Sequence, residues 1–297
     1  MNRIKWLKIT LFAAALCAVL SGALYVLAPG MILHPRRASL PIRPEQFGLP
    51  YESVSVTTPD SVVLRGYWIR DTLRQRPVII IVHGSGNCKE SQLATARWLW
   101  MEGFSTLLID LRAHGTSGGK YCTYGHDEKV DVTCWVDALL QRDSTLSIGI
   151  WGNSLGGAVA LQSLAYDNRL QYGIIESTFA DFRTVVYEYQ KRIFKLPLKA
   201  LANSAATRAG VIAGFSPDEI RPEEAAFHIR QPIFLAHGTA DRHIPFSHGR
   251  LIFEHLASAD KQFYPVPGAT HHNLHETGGS EYTSAIAAFL KKQNGRQ

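Results

Sequence analysis

Gly152-Asn153-Ser154-Leu155-Gly156 reads G-x-S-x-G, and the residues on either side decide what it means. Ser147-Ile148-Gly149-Ile150-Trp151 before it is a short, mostly apolar run of strand length. Gly157 to Ala165 after it is a small-residue run that reads as a helix. Strand, five-residue turn and helix form the context in which a serine is lifted onto a strained nucleophile elbow. Glycine neighbours leave no side chain where strand and helix close on one another. The helix N-terminus then offers free N–H groups and a positive dipole end to a developing oxyanion. The same five residues also occur as a plain strand-to-helix turn. They gain meaning when an acid and a histidine follow in that order, each just after a strand.

Outward from the elbow, Val78–Val82 is an unbroken β-branched run, the mark of a strand buried on both faces. Ser105–Asp110, Ser147–Trp151, Tyr172–Glu176 and Ile233–His237 follow, with a shorter run at Gln262–Val266. Helix-like stretches at Glu90–Met101, Asp127–Gln141, Leu155–Tyr166 and Ser247–Ala257 lie between them. This alternation implies right-handed crossovers and an α/β fold, a mostly parallel sheet with helices on both faces. Glu52–Thr57 and Val62–Ile69, joined at Pro59-Asp60, read as an antiparallel edge hairpin, giving about eight strands in all. A helical insertion over about 181–230 begins at the carboxyl end of the strand closing at Glu176. In an open sheet that is the ligand side, so the insertion is expected to cover the site, with a packed excursion as the alternative.

Ahead of the sheet, Ile9–Leu33 carries no Asp, Glu, Lys or Arg and is long enough to cross a bilayer with tilt. Arg3, Lys5 and Lys8 precede it. Residues 1–34 are therefore expected to be an uncleaved signal anchor, partnered by a lipid bilayer. A cleaved signal, with Ser21-Gly22-Ala23 as a weak site, is the alternative. The short basic N-terminus favours the large C-terminal part lying outside the cytoplasm, and the lack of an Asn-x-Ser/Thr sequon leans toward a bacterial envelope. Residues 35–50, with Pro35, Pro41, Pro44 and Pro50, read as an extended linker, leaving 51–297 as one domain.

Across 297 residues, 46% hydrophobic and 19% charged content is that of a globular chain with a sizeable core. The net charge of +6 is mild, and no basic stripe interleaves with aromatics, so nucleic acid is not an expected partner. Cys17 falls in the apolar segment, and Cys88, Cys122 and Cys134 keep no metal-ligand spacing.

The acid and the histidine are present. Asp241 follows the run Ile233–His237, and His271 follows Gln262–Val266, so Ser154, Asp241 and His271 stand in the order Ser…Asp…His on loops after strands. A serine hydroxyl needs a neutral imidazole to take its proton, and the imidazole needs a carboxylate to fix its tautomer. His272 is the alternative base and Glu176 the alternative acid. The cluster His271, His272, His275 and Glu276 has an i, i+4 spacing that a divalent metal would use, but a glycine-led loop speaks against the helix it needs. No metal or other cofactor is expected. Asp110 and Arg112 read as an ion pair or hydrogen-bond network shaping a loop, and His83, His114 and His237 as oriented loop or strand-end histidines rather than catalytic ones.

From about Pro50 onward the chain resembles the α/β-hydrolase superfamily, most closely its small-cap serine hydrolases of the serine-aminopeptidase-like and BEM-type groups, which include single-pass membrane members. Four blocks carry the resemblance: His83-Gly84-Ser85-Gly86, Asp110 to Ser117, the elbow, and His237-Gly238-Thr239-Ala240-Asp241 with Ile244-Pro245. It implies a Ser–His–Asp hydrolase of an ester, thioester or amide, acting on a small-molecule acyl substrate. The expected oxyanion donors are the backbone N–H groups of Ser85 and Leu155. Gly268 and His271 match the Gly-x-x-His spacing of that pattern. An acyltransferase, a serine peptidase and a catalytically silent, membrane-tethered binding protein are the rival readings on the same scaffold.

Overall fold

The computed structural model describes residues 2–71 and 76–295, apart from some side chains of the first helix. In chain order the elements are α1 (Asn2–Leu33), β1 (Tyr51–Thr57), β2 (Val63–Ile69), β3 (Val78–Val82), α2 (Leu93–Met101), β4 (Ser105–Ile109), α3 (Glu128–Arg142), β5 (Ile148–Asn153) and α4 (Leu155–Tyr166). There follow β6 (Leu170–Glu176), α5 (Phe182–Phe194), α6 (Lys199–Ala213), α7 (Pro222–Ala226), β7 (Ile233–Gly238), α8 (Phe246–His255), β8 (Lys261–Val266) and α9 (Leu274–Asn294). One eight-stranded sheet runs in the order β1-β2-β4-β3-β5-β6-β7-β8. β1, β2 and β4 pair antiparallel in turn, and every later pairing is parallel. This is the α/β-hydrolase fold the sequence points to.

The β-branched run of β3 shows why the sheet lies in the middle. Val78, Ile80 and Val82 face a core built with α3, α4 and α8, whereas Ile79 and Ile81 face a second core built with α2 and α9. A strand whose alternate residues are apolar on both sides has no face to offer water. Each such side chain contributes roughly 1.5–3 kcal/mol by leaving solvent. Helix α9 has no counterpart among the expected elements. Its Ile286, Phe289 and Leu290 close the second core at helical spacing, but Gly278 and Gly279 near its start interrupt the pattern, and Gly279 is non-helical within it (φ +56°).

The chain leaves β3 toward β4 on one side and comes back to β5 on the other. Crossovers that part in this way open a crevice at the carboxyl ends of β3 and β5, where open sheets bind ligands. The elbow lies at the end of β5, and the His83-Gly84-Ser85 loop at the end of β3. The insertion folds as α5, α6 and α7.

The N-terminal expectation fares differently. Among the described residues, no helix is long and apolar enough to cross a membrane. The side chains of Cys17, Ser21 and Ala23 lie outside the described residues. The last turn of α1 joins the body, where Leu33 is 1% exposed and sits in the core of α3 and α4.

Candidate active site

Ser154 joins β5 to α4 with φ +55° and ψ −117°, a left-handed conformation that strains any residue with a side chain. The turn can close this tightly because its flanks are glycine. A Cβ on Gly152 would collide with the Gly156 carbonyl, and one on Gly156 with the Val82 carbonyl. Two hydrogen bonds from the neighbouring strand end hold the strained residue, besides those of its own helix turn. Its N–H donates to the Glu176 carbonyl at 2.9 Å, and the Thr178 hydroxyl donates to its carbonyl at 2.8 Å.

The loops after β7 and β8 bring two more side chains to it. The Ser154 Oγ–H donates to His271 Nε2 at 3.0 Å, and His271 Nδ1–H donates to Asp241 Oδ2 at 2.7 Å. Asp241 is fixed in turn by its own loop, since Oδ1 accepts the N–H groups of His243 at 2.7 Å and Ile244 at 2.9 Å. The His271 and Asp241 side chains are buried. Burial alone would raise the Asp241 pKa. The imidazoles of His237 and His271 and the Ile244 N–H outweigh it and hold the carboxyl at about 2. Asp241 is therefore an anion throughout the neutral range, and it orients the imidazole that accepts from serine.

The loop after β3 stands against the elbow. A Cβ on Gly84 would lie 3.4 Å from the Ser154 Cβ. Ser85, Ser154 and Leu155 all line one cavity of about 230 Å³. Its far wall comes from the insertion, through Val185, Tyr189, Ile193 and Phe194 of α5 and Leu201 and Ala202 of α6. The insertion thus covers the site rather than packing away from it.

A sequence model of the prolyl oligopeptidase family matches residues 91–297. The chain belongs to that family. It is a hydrolase of the α/β-hydrolase superfamily. Protein bem46 of Schizosaccharomyces pombe is 26% identical over 257 residues, covering 84% of this chain and 80% of its own. The Arabidopsis thaliana alpha/beta hydrolase domain-containing protein WAV2 is 24% identical over 267 residues, covering 86% and 83%. Among solved structures, the esterase Pf2001 of Pyrococcus furiosus superposes with a TM-score of 0.75 at 25% identity, covering 88% of this chain and 98% of that one.

In this prolyl oligopeptidase family member the alternative residues have other partners. His272 stands edge-on to His271, with ring centroids 4.9 Å apart, while His271 itself bridges serine and acid. Glu176 is turned to the other face of the sheet. Its carboxylate accepts from Trp151 Nε1 at 2.9 Å and the Tyr282 hydroxyl at 2.5 Å, and pairs with His275 Nε2 at 2.9 Å. Burial pushes Glu176 up, but the His275 charge and these donors lower its pKa overall. Glu176 in turn raises the pKa of His275. The i, i+4 histidines therefore serve two separate carboxylates.

Asp110 and Arg112 do not form an ion pair with each other; of the two sequence readings, the hydrogen-bond network is the one seen, and each residue has its own. Asp110 accepts from Lys89 Nζ at 2.7 Å and from the Thr116 N–H at 2.8 Å, bracing the loop after β4. Arg112 makes a forked contact with Asp131, Nε at 2.7 Å and Nη2 at 2.6 Å, and reaches Asp127 at 2.7 Å. Two residues apart on an irregular loop, the two charges point to different sides. His83 and His237 are each oriented by backbone hydrogen bonds. His83 Nε2 accepts the Leu111 N–H at 3.2 Å, and His237 Nε2–H donates to the Ile244 carbonyl at 2.9 Å. The buried Lys89 and the Glu176–His275 pair had no short-range signal in the sequence, because each pairing joins distant segments.

Proposed function

We propose that this chain is a serine hydrolase that cleaves a carboxylic ester or thioester through an acyl-enzyme on Ser154. One observation carries the reading. A serine on a strained elbow donates to an imidazole at 3.0 Å, and that imidazole donates to a buried carboxylate at 2.7 Å. His271 takes the serine proton as Oγ attacks the acyl carbonyl, then returns it to the leaving group. Asp241 holds the tautomer and stabilises the imidazolium. The N–H groups of Ser85 and Leu155 receive the oxyanion, from the loop after β3 and from the first turn of α4. Water then releases the acyl group by the same relay.

A peptidase reading draws on the family match. Against it, the described residues lining the cavity are apolar or neutral, with no charged group to hold a peptide terminus. The test is turnover of p-nitrophenyl esters, acyl thioesters and aminoacyl amides, alongside covalent labelling by a fluorophosphonate. Ester or thioester turnover with label on Ser154 is expected. Preferential amide cleavage would favour the peptidase, and absent label would leave a binding protein.

We further infer that α1 holds the domain to a lipid bilayer. The support is the uncharged run Ile9–Leu33 and the exposed Leu7, Phe12, Val19 and Val26 along the helix. The full chain should fractionate with membranes, and a Phe12→Asp, Val19→Asp, Val26→Asp triple variant should not. Retention of the triple variant in the membrane fraction would remove this inference.

A further inference from the structure

The cavity that begins at Ser154 does not end within the insertion. It extends to Ala28, Met31 and Ile32, the last turns of α1. Those turns are fixed to the body by contacts that also build the site. The Tyr124 hydroxyl donates to the Ile32 carbonyl at 2.8 Å, and Tyr124 itself lines the cavity. The Cys122 N–H donates to the Leu33 carbonyl at 3.0 Å. Two turns earlier the Arg208 guanidinium of α6 lies 4.9 Å from the Tyr25 ring centroid. An element tied at three places along its end keeps its shape when a ligand arrives, so its side chains act as a wall.

Resting on the hydrolase reading, we infer that α1 forms one wall of an acyl-chain pocket, and that the substrate is an ester or thioester of a straight acyl chain of medium or greater length. The carbonyl end lies at Ser154, between Ser85 and Leu155. The chain runs from there between Val185 and Ile193 of α5 and Ala202 of α6 toward Ala28. Ala28, Ala202 and Ala205 are the small residues along this path, and they leave the width a methylene chain needs. Met31, 66% exposed, stands at the rim where a longer chain would emerge beside the apolar surface of α1. A branched or polar acyl group gains little from such walls. A methylene chain gains about fourfold in kcat/KM for each carbon taken out of water, ~0.8 kcal/mol apiece.

The test uses the full chain and p-nitrophenyl esters from acetate to laurate. In the wild-type protein kcat/KM should climb from acetate to octanoate. Ala28→Trp fills the α1 end of the pocket and should lower the octanoate-to-acetate ratio by tenfold or more. Met31→Trp, at an exposed rim position that tolerates bulk, should lower the laurate-to-acetate ratio severalfold. Fluorophosphonate labelling of Ser154 reports that each variant is folded. Should Ala28→Trp lose its label, Met31→Trp decides. An unchanged chain-length profile in the labelled variants overturns the inference, as does a wild-type profile that falls from acetate onward. Displacement of a fluorescent fatty acid reads the pocket without turnover. Weaker binding in Ala28→Trp supports the α1 wall even if no ester is cleaved, a result that would count against the hydrolase reading alone. Equal binding in wild type and variant overturns the wall.

Discussion

Two carboxylate–imidazole pairs stand at the ends of neighbouring strands. Asp241 after β7 pairs with His271 at 2.7 Å, and Glu176 at the end of β6 pairs with His275 at 2.9 Å. Both imidazoles come from one short stretch, four residues apart, and both carboxyls are held below their ordinary pKa. What differs is the far side of each ring. His271 turns its other nitrogen to a hydroxyl on a strained elbow. His275 lies stacked over Trp151, its ring 6.0 Å away and half exposed. A carboxylate beside an imidazole is thus not a signature of nucleophilic chemistry. The group on the second nitrogen decides, and here only one pair has a serine there. Glu176 still matters to the site through its backbone, since its carbonyl fixes the Ser154 N–H.

The contrast can be broken experimentally. Ser154→Ala removes the atom that sets one pair apart, and kcat for a p-nitrophenyl ester should fall by about 10⁴–10⁶ with circular dichroism unchanged. Wild-type turnover in that variant would leave the two pairs equivalent. Asp241→Asn should cost about 10⁴ in kcat, because the imidazole is then held in the wrong tautomer. Glu176→Gln should cost less than about tenfold in kcat but about 1–3 kcal/mol in urea-unfolding stability, since a buried anion with three donors becomes an amide. Equal losses of turnover in the two variants would refute the division of roles. An acid-stability measurement sharpens it further. A carboxyl held at about 2 in the folded chain, against about 3.9 unfolded, stabilises fully above pH ~4 and loses that contribution as pH falls through 2. The contribution is on the order of 2 kcal/mol, and Asp241→Asn should flatten that limb of the profile.

The sheet and the Ser154–His271–Asp241 arrangement were legible because their signals are local. Val78–Val82 announces a strand buried on both faces, and the elbow needs glycines at fixed offsets. Asp241 and His271 are each found as the first polar residue of the right type after an apolar run. Glu176 satisfies the same rule, closing a buried strand opposite Asn153, the residue before Ser154. Periodicity could not separate it from Asp241, because the separation lies in Trp151 on the neighbouring strand and in Tyr282, which reaches it from α9. Charge pairing was equally hidden. Asp110 and Arg112 sit two residues apart, but Lys89 and Asp131 claim them from elsewhere in the chain. The end of α1 reads as part of a uniformly apolar helix, and nothing in such a run shows that Ala28 and Ile32 line a cavity. That placement follows from the packing of α1 on α6 and from the Tyr124 hydroxyl.

The smallest expected effect lies on the alkaline side of the same comparison. The Glu176 carboxylate raises the pKa of His275, and partial burial offsets it only in part. A group whose folded pKa is raised stabilises fully below its unfolded value, near pH ~6.5, and loses that contribution as pH rises through the folded value. Glu176 has the opposite sign, so its contribution is kept above pH ~4.3 and lost on acidification. The pair is therefore strongest in the mildly acidic window between the two. His275→Gln should lower urea-unfolding stability by roughly 1 kcal/mol at pH 5.5, discounted for the solvent at its ring, and by less at pH 8.5. Ester turnover at neutral pH should change by no more than about threefold. If His275→Gln instead destabilised more at pH 8.5 than at pH 5.5, the imidazole would be acting as a neutral packing group, and the second pair would owe its geometry to Trp151 and Tyr282 rather than to charge.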